Sequence, residues 1–259
     1  GDEVILTSRT FIASASAVVR CGGLPIFADI DPESQNITAT TIANVLSSKT
    51  KAIVCVHLAG WPCDMDPILD LASAHGISVI EDCAQAHGAR YKGKSVGALG
   101  DVAAWSFCQD KIISTGGEGG MVTTNDESLW KTMWAFKDHG KNPEKVFSHN
   151  NNNYKFRWLH DGFGTNFRLT EIQAAIGRHQ LERLEDWNKE RRRNLEAIHS
   201  FLGKSSAVRV PSPICESCDC NIDSIRGCRH AAYKAYVFVN ISEEARDDLV
   251  RRINEAGIK

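Results

Sequence analysis

The feature that most constrains the fold is an alternation of short apolar runs and helical runs along the first half of the chain. We predict strands at residues 4–6, 25–28, 52–56, 77–80 and 102–107. Helical runs, several of them closed by a glycine, separate the earlier strands. Residues 52–56 are apolar at every position, which is typical of a strand buried on both faces. The alternation predicts an α/β fold with a mainly parallel sheet between helices.

Composition excludes several classes of protein. The chain has 259 residues and a net charge of -2, so it carries no basic excess of the kind that nucleic-acid binding needs. No apolar run reaches the length of a membrane span. The nine cysteines are scattered through a long chain, which favours reduced thiols in the cytoplasm over a disulfide framework. Because the chain begins without methionine and ends in a helical run, we expect an internal fragment.

An amine and a carboxylate follow two of the predicted strands. Asp82 comes just after the run 77–80, and Lys111 comes four residues after Phe107. In open α/β sheets ligands bind beyond the carboxyl ends of the strands, so we expect these groups to converge there with Ser106 and His57. A pyridoxal phosphate enzyme needs such a pair, because the lysine forms a Schiff base and the carboxylate keeps the ring nitrogen protonated. The alternatives are a solvated surface lysine and a carboxylate that only caps a strand.

Several separated motifs keep a common order along the chain: residues 80–89 (IEDCAQAHGA), Ser106-Phe107 with Lys111, 117–120 (GEGG) and 164–168 (GTNFR). In these motifs the chain resembles the DegT/DnrJ/StrS family of sugar aminotransferases. The resemblance implies the PLP-dependent transferase fold type I, as in aspartate aminotransferase. It also implies a PLP-binding large domain at 1–184 that lacks its N-terminal segment, and a linking helix with part of a small α/β C-terminal domain at 185–259.

The resemblance assigns a role to each candidate residue. Lys111 would bind pyridoxal 5'-phosphate covalently and shuttle a proton, work suited to an amine whose pKa is lowered by its site. Asp82 would pair with the ring nitrogen, and Gln85 would bond the phenolate oxygen. Phe11 would stack on the ring, unless it is a core residue at a helix start. Ser106 would bind the phosphate, unless its hydroxyl only satisfies local backbone groups.

Asn166 resembles a family asparagine that reaches the phosphate of a neighbouring subunit. The resemblance therefore implies a homodimer with shared active sites. The alternative is an asparagine that serves a turn or cap before the helix predicted from Leu169, next to an Arg168 that pairs with Glu171.

The implied reaction is transfer of an amino group from an amino acid, glutamate in most relatives, to a nucleotide-linked keto sugar. The product would serve lipopolysaccharide, another surface glycan or a secondary metabolite. A dehydratase branch of the family replaces the cofactor lysine with histidine, so Lys111 argues against that activity. A non-catalytic regulatory protein that kept the fold remains an alternative, as does a carbohydrate- or nucleotide-binding module without the cofactor.

Two further segments, one polar and one rich in cysteine, lie in the second half of the chain. The polar stretch 141–153 is long for a connection and is predicted to face the substrate. Cys215, Cys218, Cys220, Cys228 and His230 lie within sixteen residues and suggest zinc, but their spacing fits no zinc module, so we predict no metal site.

Overall fold

A six-stranded sheet forms the centre of the computed structural model, which describes residues 1–147, 160–211 and 227–257. The strands of the chain are β1 (Glu3–Thr7), β2 (Leu24–Ala28), β3 (Thr50–Val56), β4 (Ser78–Asp82), β5 (Arg90–Tyr91), β6 (Lys94–Ser95), β7 (Val102–Ser106), β8 (Gly120–Thr123), β9 (Val208–Arg209) and β10 (Phe238–Val239). The large sheet has the order β2-β1-β3-β4-β7-β8. Only β8 runs antiparallel to its neighbour, so the predicted mainly parallel sheet is confirmed.

The helices are α1 (Ala13–Arg20), α2 (Ala39–Ala43), α3 (Met65–His75), α4 (Glu127–Lys137), α5 (Pro143–Phe147), α6 (Glu171–Leu202) and α7 (Glu243–Glu255). Their ends follow local chemistry. Thr38 caps α2 through a capping box, as its position predicts. Gly76 closes α3 in the left-handed region, with φ of 63°, where a residue with a Cβ atom is strained.

Helices cover both faces of the sheet because successive strand residues point to opposite sides. On one face, Ile5 and Ile53 pack with Ile42 of α2 and Ile68 of α3. On the other face, Leu6 and Val54 pack with Ala15 of α1. A third cluster joins the loop after β4 to residue Ala231 and includes Ala86, Ala103 and Ile112. This layering leaves the carboxyl ends of the parallel strands as an open edge, which we call the rim.

Helix α6 is continuous from Glu171 to Leu202, so it crosses the boundary predicted at 184/185 without a break. The division into two domains therefore stays a prediction. In the polar stretch predicted as a loop, α5 occupies Pro143–Phe147, and residues 148–153 lie outside the described part. No helix among the described residues has both the length and the apolar character needed to span a bilayer.

Candidate active site

The rim brings together side chains that are far apart in sequence. Asp82 is the last residue of β4, and Ser106 is the last residue of β7. The backbone N–H of His57 donates to the carbonyl oxygen of Asp82 at 3.2 Å, which ties the ends of β3 and β4 together. Gln85 and Lys111 follow within a few residues, on the loops that leave β4 and β7.

The Asp82 carboxylate is held by two donors. The hydroxyl of Ser14, near the start of α1, donates to Oδ2 at 2.9 Å. The backbone N–H of Ala84 donates to Oδ1 at 3.1 Å. Ser14 also bonds the hydroxyl of Thr10 at 2.9 Å. The carboxylate thus has a fixed orientation at a half-buried position.

Gln85 is oriented by the short turn Leu58–Gly60. Its Oε1 accepts from the backbone N–H of Ala59 at 2.7 Å. Because this bond identifies the amide oxygen, the NH₂ group is the part left to donate to a ligand oxygen. That is the role which an oxygen such as the cofactor phenolate requires.

Lys111 contacts two groups, one adjacent in sequence and one distant. Its Nζ lies 3.4 Å from Oδ2 of Asp110 and 3.3 Å from the hydroxyl of Tyr233. Partial burial lowers the pKa of Lys111, but the bond to Tyr233 and the charge of Asp110 outweigh it, so the pKa is raised. The expectation of a lowered pKa is therefore wrong for the chain without a cofactor, because Tyr233 and Asp110 together stabilise the ammonium form.

The loop that carries Lys111 is closed by the glycine-rich turn. The backbone N–H of Phe107 donates to the carbonyl of Gly119 at 2.8 Å, and that of Thr115 donates to the carbonyl of Phe107 at 3.1 Å. Gly116 and Gly117 have φ of 80° and 142°, which only glycine adopts without strain. The turn therefore shapes the backbone around the lysine.

Phe11 and Ser106 also lie at this rim. The ring of Phe11 is 71% exposed, so the alternative that it is a core residue is wrong. Ser106 accepts from the backbone N–H of Cys108 at 3.3 Å, and its hydroxyl hydrogen remains a donor.

Asn166 does not lie at the end of one of the parallel strands, unlike Asp82 and Ser106. It lies in an isolated bridge with Asp138, and its Oδ1 accepts from the backbone N–H of Arg168 at 3.3 Å. Arg168 pairs with Asp138 at 2.6 Å, so the alternative in which it pairs with Glu171 is wrong. The side chain of Asn166 is exposed and makes this local turn, but the cap of α6 is Thr170.

A fully buried carboxylate sits beside the site. Glu81 accepts from His57 Nε2 at 3.0 Å and from the backbone N–H groups of Gly97, Leu99 and Gly100, each at 2.8 Å. Burial raises the pKa of Glu81, but these bonds outweigh it and lower the pKa. His57, Glu81 and Cys83 are close enough together to ligate a metal. However, the backbone N–H of Cys63 donates to His57 Nδ1, so Nε2 carries the proton and has no free lone pair.

The cysteine cluster considered for zinc is only partly described. Cys215, Cys218 and Cys220 lie outside the described residues. His230 is partly buried beside Trp61, with ring centres 5.3 Å apart, and its Nδ1 accepts from the backbone N–H of Ala232. One of its two ring nitrogens is therefore already engaged within its own segment.

Pyridoxal phosphate fits the residues at the rim. Lys111 offers a primary amine on a side chain that is 16% exposed, and Asp82 offers an oriented anion. Gln85 offers an amide donor, and Phe11 offers an exposed ring. An amine, an anion, a donor and an aromatic surface are the groups that an aromatic aldehyde with a basic ring nitrogen requires.

Three residues of this site were not predicted from the sequence. Ser14, Asp110 and Tyr233 hold Asp82 and Lys111 in place. Ser14 has a weak local signal, because it lies four residues after Thr10 at a helix start. Tyr233 has none, since its contact with Lys111 spans 122 positions.

Comparison with known proteins identifies relatives along the whole chain. The model of the DegT/DnrJ/EryC1/StrS aminotransferase family matches residues 1–259. A GDP-perosamine synthase of Caulobacter vibrioides is 47% identical over 186 residues, which are 72% of this chain and 47% of the relative. A pleiotropic regulatory protein of Geobacillus stearothermophilus is 36% identical over 258 residues, which are 100% of this chain and 62% of the relative.

Among solved structures, the chain is similar to an aminotransferase from Psychrobacter cryohalolentis. The TM-score is 0.90 at 53% identity, with 99% of this chain and 65% of that chain covered. The chain thus spans about half to two thirds of the length of these three relatives. The enzymes of the matched family depend on pyridoxal phosphate.

Proposed function

We propose that this chain, which belongs to the DegT/DnrJ/EryC1/StrS aminotransferase family, transfers an amino group from glutamate to a keto sugar linked to a nucleotide. The observation that carries the proposal is the placement of Lys111, Asp82 and Gln85 on one rim with oriented polar atoms. The resemblance to a GDP-perosamine synthase supports a nucleotide-linked sugar as the acceptor.

Each residue of the proposed site has a separate role in the reaction. Pyridoxal phosphate, when bound, supplies an electron sink for the bond that breaks at the donor α-carbon. Lys111 accepts the α-proton on Nζ and later gives it back. Asp82 holds a proton on the ring nitrogen, with its own orientation set by Ser14. Gln85 donates to the phenolate oxygen, Phe11 stacks on the ring, and Ser106 binds the phosphate.

A homodimer completes the proposed site. Asn166 is exposed and would reach the phosphate bound in the partner subunit. Two large apolar side chains flank it, Phe163 and Phe167, and Phe167 is 65% exposed. Exposed apolar groups of this size around a functional residue are typical of an interaction surface.

The product would be an amino sugar for lipopolysaccharide, another surface glycan or a secondary metabolite. We assign the reaction to the cytoplasm. Among the described residues, thiols outside any disulfide at Cys21, Cys55, Cys63, Cys83 and Cys108 support a reducing compartment.

Absorbance and covalent trapping test this function. The purified protein with added pyridoxal phosphate should be yellow, and glutamate should bleach the band. Borohydride reduction should leave a pyridoxyl adduct on the peptide that contains Lys111. Lys111→Ala should abolish the adduct. An adduct on another lysine would overturn the assignment.

A second candidate function is regulation without turnover. The resemblance to a pleiotropic regulatory protein over the whole chain favours keeping it. A protein that binds the cofactor at Lys111 but is bleached by no amino donor would support this candidate. A colourless preparation that binds no cofactor would favour a carbohydrate- or nucleotide-binding module.

A further inference from the structure

Tyr233 lies at the rim because backbone hydrogen bonds hold its segment against the turn that also orients Gln85. The backbone N–H of Ala231 donates to the carbonyl of Gly60 at 2.9 Å, and that of Tyr233 donates to the carbonyl of Ala59 at 3.0 Å. These bonds hold the segment 231–233 against Leu58–Gly60. Two hydrogen bonds to the turn therefore fix the backbone at Tyr233, whose side chain is partly buried.

The phenol of Tyr233 connects Asp110 and Lys111. Its hydroxyl donates to Oδ2 of Asp110 at 2.7 Å. Since the phenolic proton is committed to that bond, the oxygen faces Nζ of Lys111, 3.3 Å away, as an acceptor. The same Nζ lies 3.4 Å from Asp110 and 5.1 Å from the centre of the Tyr233 ring. A carboxylate, a phenol oxygen and an aromatic face all attract a cation.

Other titratable groups near this contact do not remove its preference for the charged, ammonium form of Lys111. His87, which senses the charge of Lys111, is buried, and burial lowers its pKa to about 4, so it is neutral at physiological pH. Lys234 lies over the same Tyr233 ring at 5.4 Å and opposes a second cation only weakly from solvent. The hydrogen bond from Tyr233 also lowers the pKa of Asp110 to about 2, which keeps its carboxylate charged.

We propose that Tyr233 and Asp110 are positioning residues that bind Lys111 as an ammonium while its amine is not attached to the cofactor. The inference rests on the proposed function. In that reaction the α-C–H bond of the donor would break and an N–H bond would form on Nζ, and bound pyridoxal phosphate would supply the sink for the bonding electron pair. The ammonium is then a state on the reaction path, and Tyr233 with Asp110 holds it at a fixed place until the proton is returned.

The charge state of Lys111 is measurable without any turnover. Competitive labelling of the cofactor-free protein with acetic anhydride, read by mass spectrometry, reports the neutral fraction of each amine. Tyr233→Phe and Asp110→Asn should each lower the labelling midpoint of Lys111 by about one pH unit, because each removes a group that favours the charged form. The labelling rates should differ most below about pH 10.4, the pKa of an ordinary lysine, and the ratio of the rates should fall as the pH rises above that value.

Control measurements distinguish a change in the charge state of Lys111 from a change in its accessibility to the reagent and from misfolding of the variant. Tyr236→Phe makes the same chemical change three residues away, where the ring contacts Arg9, and should leave the Lys111 midpoint unchanged. Lys92, paired with Asp66 at 2.6 Å, serves as a reference amine in every sample. Asp110 is 58% exposed in its side chain, so Asp110→Asn should fold even if Tyr233→Phe does not.

The outcomes distinguish this inference from the proposed function. Unchanged Lys111 midpoints in both variants would overturn it, and so would a rate ratio that stays constant to the highest pH, which indicates altered access. In the bleaching reaction with glutamate, the rate should be measured against pH. The alkaline limb of that profile should shift to lower pH in the same two variants. A wild-type protein that glutamate never bleaches defeats the proposed function, whereas the labelling shift still measures the contact itself.

Discussion

At the scale of single residues, the charge of Asp82 is what the proposed chemistry depends on most after Lys111. Asp82→Asn removes the anion but keeps an oxygen that Ser14 can bond. We expect the rate of bleaching by glutamate to fall by at least about 100-fold, because a preorganised charge next to the reacting group is lost. Stopped-flow absorbance measures it. Asp82→Glu, which keeps the charge, should lose less, and a loss in Asp82→Asn smaller than in this control would contradict the assignment.

Two histidines, His87 and His230, make stability depend on pH. Burial lowers the pKa of His230 to about 3 and that of His87 to about 4. Both values lie below that of an unfolded histidine, about 6.5, so the unfolded state binds more protons in acid. Their stabilising contribution is full above about pH 6.5 and is lost as the pH falls toward the folded values.

Urea unfolding at neutral and at mildly acidic pH tests this dependence. The free energy of unfolding should decrease on acidification, and His230→Gln should make that decrease smaller. His75, an exposed histidine at the end of α3, provides the matched control, since His75→Gln should not alter the pH dependence. An equal decrease in all three proteins would show that other groups are responsible.

At the scale of elements, the turn Leu58–Gly60 links the loops on which the site depends. Gly60 has φ of 96°, and a Cβ atom there would lie 2.9 Å from both the Ala231 Cβ and the Gln85 carbonyl oxygen. The turn can therefore approach the segment of Tyr233 only because residue 60 is glycine. Ala59, with φ of 58°, adds a second strained position to the same turn.

Gly60→Ala should thus destabilise the protein by more than backbone strain alone. Gly22 is the matched control, because its φ of 78° is similar and a Cβ atom there would have nothing within 4 Å. We expect Gly22→Ala to cost about 1 kcal/mol and Gly60→Ala clearly more, since the close contacts add to the strain. Denaturant unfolding measures both. Equal costs would mean that the contact with Ala231 relaxes freely.

At the scale of the whole molecule, the proposed dimer makes a prediction about mixed subunits. Lys111→Ala and Asn166→Ala should each be inactive alone, because one lacks the amine and the other lacks the group that reaches the partner's phosphate. After the two variants are mixed and exchange subunits, a hybrid dimer holds one site with both residues intact and one with neither. Activity should therefore reappear.

The control for subunit mixing uses two variants of the same contributor. Lys111→Ala mixed with Asp82→Asn should recover nothing, since both residues belong to the same side of the shared site. Recovery in that mixture, or none in the first, would contradict a site built across the interface. Sedimentation of the unmixed proteins should show a dimer in each case.

The sequence alone determined much of the layout. Continuous apolar runs and capping residues encode strands and helices locally, so β3 and the caps at Thr38 and Gly76 could be predicted. Parallel strands place their carboxyl ends on one edge, so the common location of Asp82 and Lys111 followed from order along the chain. The family motifs then indicated the cofactor chemistry.

Tertiary structure decided how those groups are held. The bond from Ser14 to Asp82 spans 68 positions, and the contact of Lys111 with Tyr233 spans 122. No local pattern encodes such contacts, because they depend on how separate segments pack against the sheet. The raised pKa of Lys111 also could not be predicted from a local pattern, since it results from the distance and orientation of Tyr233 and Asp110. Residue type determines which proton can move, and packing determines where that proton is held.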